Sequence, residues 1–208
     1  MTDYSVTRSM EAVTPRGVAV AEARRVARPS GWWGMAIFVA TEATLFGTLI
    51  GSYYDLRLRT AVWPPPGIPD PKVAVPLILL GVLVAASVPV QLASVLARAG
   101  RAGAAQLALL TALVLQSGYL AMQIHLFVDD LHHFSPQDTA YGSIYFTLLG
   151  AHHAHVAVGL LLEGWLVLRL FRGITAYRTV GVRATAFYWH AVNVLAIAVT
   201  IVQLSPSL

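Results

Sequence analysis

The sequence contains no cysteine in its 208 residues. Disulfide bonds, thiolate metal sites, cysteine-held iron–sulfur clusters and thiol nucleophiles are therefore excluded. The chain also lacks a nucleophile–base pairing, a phosphate-binding glycine loop and a dinucleotide-binding fingerprint. Nothing in the chain therefore suggests chemistry performed by this polypeptide alone.

Charged residues are scarce, because they make up 12% of the chain while 57% of its residues are hydrophobic. This composition excludes a typical soluble domain and favours an integral membrane protein. Apolar segments occur at about residues 31–54, 73–96, 104–128, 141–168 and 184–204. Each is long enough to cross the ~30 Å hydrocarbon core as a helix. We predict an all-α bundle of five transmembrane helices, with a kink at Pro89 in the second.

The first predicted span has aromatic pairs at both ends, Trp32 with Trp33 and Tyr53 with Tyr54. Such rings are typical of the two membrane–water interfaces. Between the pairs the sole charged side chain is Glu42, close to the middle of the span. An acid at that depth needs a partner, a water pocket or a proton, because a charge in the hydrocarbon region is costly.

Residues 1–30 are polar and basic, without the apolar core and cleavage site of a signal peptide. We predict a retained cytoplasmic arm at 1–30 and one transmembrane domain at 31–208. A nucleic-acid-binding arm is a less favoured alternative, because aromatic residues do not alternate with the arginines.

The distribution of Lys and Arg predicts the orientation of the chain. With the N-terminus inside, the inner segments hold eleven of the fourteen basic residues and the outer segments hold three. The positive-inside rule then places the N-terminus in the cytoplasm and the C-terminus outside.

Two acids lie inside the predicted spans, Glu42 and Glu163. Glu42 is either a proton-accepting or water-ordering group, or a protonated acid bonded to a neighbouring helix for packing, and the residues leave both interpretations open. Glu163 lies ~9 Å inside the inner boundary and His190 ~10 Å inside it. Our hypothesis is that these two pair, while the alternative is that Glu163 reaches the interface or faces a partner subunit.

The fourth span also carries His152, His153 and His155. Metal or haem ligation is one interpretation, although only His190 is offered from another span interior and transition-metal sites usually need three or four ligands. Hydrogen bonding between helices or to a lipid headgroup is the favoured alternative. Three further histidines, His125, His132 and His133, lie at or beyond the outer edge of the third span, where a solvated loop is the default interpretation.

Six short motifs occur in order along the chain. They are Trp33-Gly34-Met35, Thr41-Glu42 with Phe46, Trp63-Pro64-Pro65, Asp138 with Tyr141-Gly142-Ser143, the set Gly150, His152, His155, Val156 and Gly159, and Tyr188-Trp189-His190. With these motifs the chain resembles cytochrome c oxidase subunit III, the haem–copper oxidase subunit III family, in its five-span form. The resemblance extends from about Trp32 to Leu204.

The resemblance implies an accessory subunit that binds no haem or copper itself, with both cofactors in partner subunits. It implies packing mainly on oxidase subunit I, and on subunit II, with phospholipid held between helices and no nucleic acid bound. Glu42 matches the family's carbodiimide-reactive glutamate and is expected to be a proton-related carboxyl. The residues expected to have structural or lipid-contact roles, with no metal bound, are Trp33, His152, His155, Trp189 and His190.

The chain departs from the family pattern at several positions. Asn193 stands where the family usually has an acid, His153 where it has a small residue and Glu163 where it has an apolar one. The end of the third span, near Gln123 and His125, lacks the usual aromatic and acidic residues. These departures suggest a distant branch of the family.

The resemblance implies the function of the whole complex, in a bacterial-type cytoplasmic (inner) membrane. The complex would oxidise cytochrome c, reduce dioxygen to water and translocate protons, with cytochrome c or a cytochrome bc supercomplex as its partners. The close alternative is the same subunit in a quinol oxidase or nitric oxide reductase. A stand-alone proton-coupled transporter is disfavoured because no inverted repeat is evident, and a haem-binding membrane anchor is the remaining alternative.

Overall fold

The computed structural model describes residues 30–69 and 71–207, so the predicted arm lies outside the described residues except for its last position. The described residues form helices and connecting segments without a strand. The helices are α1 (Ser30–Leu58), α2 (Ala74–Ala85), α3 (Ser87–Arg98), α4 (Ala102–His133), α5 (Ala140–Leu170) and α6 (Ala176–Leu204), followed by a short 3-10 turn at Ser205–Ser207.

Five helical segments are long and apolar enough to cross a membrane, which confirms the predicted number of spans. The second span comprises α2 and α3, which divide at Ala86. Pro89 explains this division, because it has no N–H to donate to the carbonyl of the residue four positions earlier. The predicted kink is therefore confirmed.

Local sequence signals fix the ends of the helices. The Thr139 hydroxyl accepts a hydrogen bond from the Gly142 N–H at the start of α5, and Thr175 accepts one from the Arg178 N–H at the start of α6. Gly173 follows α5 with a φ of 83°, a left-handed conformation that glycine adopts without a steric penalty. The short link to α6 therefore turns sharply.

Helices α3, α4, α5 and α6 form a closed ring of neighbouring pairs, with α2 continuing the line of α3 beside α4 and α6. The first helix, α1, lies outside this ring and contacts α5 and α6. Only 6% of the most apolar stretch of α1 is buried, compared with 56% in α6. The core is therefore centred on α5 and α6.

The two ends of the bundle differ in their basic residues. We call the end that holds the start of α1 and the links 99–101 and 171–175 the basic end, because six of the nine described Lys and Arg residues lie there. The opposite end, or loop end, holds residues 59–69, 71–73 and 134–139 together with Ser205. The predicted orientation, with the basic end in the cytoplasm, stays a prediction.

Candidate functional site

An acid and an imidazole meet between α1 and α5. Glu42 Oε2 lies 2.5 Å from His155 Nε2, and the two side chains are 19% and 14% exposed. Glu42 lies ~18 Å along α1 from its first residue, and His155 lies ~22 Å along α5 from its last residue. The contact therefore lies near the middle of the membrane-spanning region, in a groove that is not fully closed.

A backbone carbonyl determines how protons are arranged in this pair. His155 Nδ1 lies 2.6 Å from the carbonyl oxygen of Ala151, which accepts hydrogen bonds only, so Nδ1 carries a proton. One further proton then lies between His155 Nε2 and Glu42 Oε2. With the proton on nitrogen the pair is ionic, and with the proton on oxygen both groups are neutral. The pair is thus able to hold a proton in either position without a net charge.

Aromatic side chains position His155. The Phe46 ring meets the imidazole edge-to-face with centroids 5.2 Å apart, and the Tyr188 hydroxyl donates to the His155 carbonyl oxygen over 2.7 Å. Phe46 and Tyr188 are both buried. Their packing fixes the imidazole opposite Glu42, so the pair is held by three helices, α1, α5 and α6.

A second polar chain lies deeper, between α4 and α5. His152 Nε2 lies 3.1 Å from the Tyr119 hydroxyl, which accepts a hydrogen bond from Gln123 Nε2 over 3.2 Å. All three residues are buried. This arrangement agrees with a structural role for His152, as expected for hydrogen bonds between membrane helices.

The predicted pair of Glu163 and His190 is not formed, since no ion pair joins them among the described residues. His190 Nε2 lies 3.3 Å from Gln91 Oε1 on α3, whereas Glu163 lies beside the indole of Trp189 without forming a hydrogen bond to it. The depth comparison identified the correct level of α6. The predicted direction of the His190 side chain was wrong. Adjacent residues of a helix project ~100° apart, so Trp189 lies beside Glu163 while His190 points toward α3.

The remaining predicted contact residues lie in different environments. Trp33 is 56% exposed on α1 and meets the Trp32 ring edge-to-face. Trp189 is fully buried and fills the space beside Gly159, where an added Cβ would lie 2.7 Å from its Cζ2. The buried His153 ring meets Phe127 edge-to-face. Trp33 thus faces the surroundings of the chain, whereas Trp189 belongs to the core.

Asn193, which stands where the family usually has an acid, has a hydrogen-bond partner on a neighbouring helix. Asn193 Nδ2 lies 2.5 Å from Ser87 Oγ, where α3 begins after the break in the second span. Sequence reasoning did not identify Ser87, Gln91 or Tyr188 as partners. The only available signal was that a polar side chain inside a membrane helix usually faces a neighbouring helix.

A cavity of about 250 Å³ lies at the basic end between α1, α5 and α6. Its lining is mainly apolar, from Met35 to Leu166, and includes Arg169 and Arg178. The guanidinium of Arg169 lies 5.4 Å from the centre of the Trp165 ring. The cavity therefore combines apolar walls with cationic groups near the end of the spans.

Metal ligation was one interpretation of the histidines. Within residues 30–69 and 71–207, no group of three or more His, Cys, Asp or Glu side chains is placed to hold a metal ion. His132 and His133 at the end of α4 are exposed. His133 Nδ1 lies 2.8 Å from the Asp129 carbonyl oxygen, which is a local contact within one helix.

The motifs and the five-span fold agree with a family comparison. The sequence model described as Cytochrome c oxidase subunit III matches residues 20–204. The chain belongs to the cytochrome c oxidase subunit III family. The resemblance seen in the sequence is therefore confirmed, and family members are by name third subunits of an oxidase assembly.

Individual relatives carry two kinds of name. The chain is 31% identical over 170 residues to cytochrome c oxidase subunit 3 of Papio hamadryas, covering 78% of this chain and 64% of that protein. It is 30% identical to cytochrome c oxidase subunit 3 of Bacillus subtilis (strain 168), covering 79% of each. It is 29% identical to quinol oxidase subunit 3 of the same bacterium, covering 79% and 80%. The chain thus spans less than two thirds of the Papio hamadryas protein and about four fifths of the bacterial ones.

Proposed function

We propose that the chain is the accessory, non-redox subunit III of a respiratory haem–copper terminal oxidase in a bacterial inner membrane. It stabilises subunit I, holds phospholipid and supports proton uptake, while the haem and copper centres lie in partner subunits. The complex oxidises cytochrome c, reduces dioxygen to water and translocates protons, and it contacts cytochrome c or a cytochrome bc supercomplex through its other subunits. The observation that supports this proposal most strongly is the Glu42–His155 contact in a chain of this family.

The proton-related role of Glu42 rests on the geometry of its pair with His155. Because Oε2 and Nε2 lie 2.5 Å apart, a proton passes from one group to the other without changing the net charge of the pair, which avoids the cost of an isolated charge in the membrane. Its 14–19% exposure leaves the pair open toward the groove between α1 and α5, where we propose that protons reach it from the complex. Glu42 is therefore proposed as a proton donor and acceptor that serves the complex.

The lipid-holding role rests on the cavity at the basic end. Arg169 and Arg178 line the cavity near the ends of α5 and α6, where we expect the lipid phosphates, and the other walls are mainly apolar. The cavity thus has cationic side chains at its rim and apolar side chains further inside. This arrangement matches a phospholipid, whose headgroup is charged and whose tails are not. We expect an anionic or zwitterionic phospholipid to occupy the cavity.

The proposed association with subunits I and II rests on the family assignment, and the exposed apolar surface of the bundle is compatible with it. Helix α1 exposes Ile37, Phe38 and Leu45, and α4 exposes Leu107 and Val114. Lipid covers such surfaces as readily as protein does, so exposure alone selects no partner. The family assignment is what favours an oxidase subunit as the partner.

The electron donor of the complex has two candidates. Relatives named cytochrome c oxidase subunit 3 and quinol oxidase subunit 3 from one bacterium are 30% and 29% identical to the chain. The two similarities are equal in practice. Cytochrome c oxidase is our first candidate, and quinol oxidase is the second.

The test is purification in mild detergent through a tag on this chain, after cross-linking in intact membranes so that weakly held partners are retained. The purified material is examined by optical spectroscopy, copper analysis and mass identification of partners. We expect haem bands together with a large multi-span partner. Oxygen uptake with reduced cytochrome c or with a quinol then distinguishes the two donors.

Two outcomes would contradict the proposal. A colourless chain without cross-linked partners would favour the stand-alone transporter, which proton-coupled transport by the purified chain in liposomes would establish. A haem spectrum from the chain without any partner would favour the haem-binding anchor instead.

A further inference from the structure

Glu163 occupies the most completely closed position of any carboxyl group among the described residues. The residue is fully buried, with 0% of its surface exposed. It lies six residues before Arg169, which places it ~9 Å inside the basic end of α5. Neither carboxyl oxygen has a hydrogen-bond partner among the described residues. A carboxyl group thus lies inside the bundle without an ion-pair or hydrogen-bond partner among the described residues.

The helices packed around Glu163 supply no cation at its level. Helix α4 has no titratable side chain from Ala102 to Gly118, and α2 and α3 have none before Arg98. On α6, Arg183 is exposed, the Tyr188 hydroxyl donates to the His155 carbonyl and His190 faces Gln91.

The titratable groups on α5 and α1 are engaged elsewhere. Arg169 lies over the exposed Trp165 ring, and His152 contacts the Tyr119 hydroxyl. The acid of α1, Glu42, contacts His155. Each of these groups therefore has another partner or another direction.

The neighbour of the Glu163 carboxyl is the Trp189 indole, which is positioned by a glycine. Gly159 lies one turn before Glu163 on the same face of α5, and a Cβ there would lie 2.7 Å from Trp189 Cζ2. The indole therefore lies directly against the α5 backbone, beside the carboxyl. The indole N–H is a donor without a partner among the described residues, so it is free to serve an oxygen of the acid.

Electrostatics then selects the protonation state. An ionised carboxylate without a partner in a low-dielectric interior carries a desolvation penalty of several kcal/mol. A bound proton removes this penalty, and it leaves a neutral acid that needs only hydrogen bonds.

We propose that Glu163 is a second proton-binding site of the chain, a neutral carboxylic acid sealed in the bundle beside the Trp189 indole. The site is separate from Glu42, which shares its proton with a histidine in a partly open groove. The proton-binding role of Glu163 follows from the burial of its carboxyl group and does not depend on the proposed function. Exchange of the Glu163 proton requires the bundle to open, so it is slow compared with exchange at Glu42.

The test is solid-state NMR of the full-length chain in lipid bilayers, with the glutamate carboxyl carbons labelled with carbon-13. The sequence contains four glutamates, Glu11, Glu22, Glu42 and Glu163, so single Gln variants assign every signal. We expect the Glu163 signal to keep the chemical shift of a protonated acid from mildly acidic to mildly alkaline buffer. It should disappear in Glu163→Gln and remain in Glu42→Gln.

A further variant tests the contact with the indole. Trp189→Phe removes the N–H donor, and it should shift the Glu163 signal while the Glu42 signal is unchanged. If Glu163→Gln fails to fold, the other three Gln variants assign Glu163 by elimination. A Glu163 signal at the position of an ionised carboxylate in neutral buffer would overturn the proposal, as would rapid deuterium exchange of its proton.

Discussion

Helices α1 and α6 join the bundle in different ways. In α6, 56% of the most apolar stretch is buried, and the fully buried Trp189 lies against Gly159. In α1 the corresponding value is 6%, and polar contacts hold the helix at separate points. These contacts are Glu42 with His155 at its middle, and Tyr53 and Arg57 with Ser205 at the loop end. The comparison teaches that α6 is buried along its length, whereas α1 is held at separate points by two buried aromatic side chains, Phe46 and Tyr53, and by individual hydrogen bonds.

The same difference separates the two intramembrane acids. Glu42 lies on the loosely packed helix and has a titratable partner in a groove that is partly open. Glu163 lies in the tightly packed region, with 0% exposure and no cationic partner within the described part of the chain. Glu42 is therefore suited to proton exchange, whereas Glu163 is suited to holding a proton. The predictions below test each side of this comparison.

The largest effect is expected from Gly159→Ala, because the new Cβ would lie 2.7 Å from the Trp189 ring. Overpacking at such a site costs about 1–3 kcal/mol of unfolding free energy. The matched control is Gly164→Ala on the same helix, where an added Cβ meets no atom within 4 Å. Denaturant titration of helicity in detergent measures both. Equal stability of the two variants would show that the contact of α5 with α6 is less tight than the structure indicates.

A smaller effect is expected from separating Glu42 and His155. A double-mutant cycle with Glu42→Gln and His155→Gln isolates the energy of the pair from the other contacts of each residue. We expect a coupling energy of about 1–2 kcal/mol, since hydrogen bonds between membrane helices have modest net strength. The measurement is the unfolding free energy of the wild type, both single variants and the double variant. Purely additive effects would mean that the pair does not hold α1 to α5.

The smallest effect is expected at the loop end of α1. The Tyr53 hydroxyl lies 3.0 Å from Ser205 Oγ and accepts a hydrogen bond from Trp63 Nε1 over 2.9 Å. Tyr53→Phe removes both contacts, and it should cost about 1 kcal/mol. Tyr54→Phe on the exposed side of α1 is the control. Limited proteolysis near Ser205 provides a local readout, and equal cleavage of both variants would contradict this assignment.

Much of the fold is readable from the sequence, because the membrane imposes simple rules. Apolar length determines the five spans, and the absent N–H of Pro89 explains the break between α2 and α3. The motif around Glu42 and the histidines of α5 identify the family, and the family comparison confirms it. The orientation and the arm at 1–30 stay predictions.

The hydrogen-bond partners of the polar residues cannot be predicted from the sequence in the same way. Depth in the membrane follows from counting residues along a helix, but the direction of a side chain requires the positions of the neighbouring helices. For this reason Glu163 was assigned to His190, although its neighbour is Trp189, one residue earlier. The pairing of Glu42 with His155 likewise depends on α1 lying beside α5, which hydropathy does not specify.

The most direct test of the central claim is oxygen consumption by the purified complex during sustained turnover, with Glu42→Gln compared with the wild type. Thr48→Val is the control on the same helix, because its hydroxyl bonds only to the Thr44 carbonyl among the described residues. We expect the three complexes to assemble equally and to start at similar rates. The rate of Glu42→Gln should then decline sooner or take up protons more slowly, because the pair with His155 no longer exchanges a proton. A Glu42→Gln complex that sustains wild-type turnover and proton uptake would contradict the assignment of Glu42 as the proton-related carboxyl.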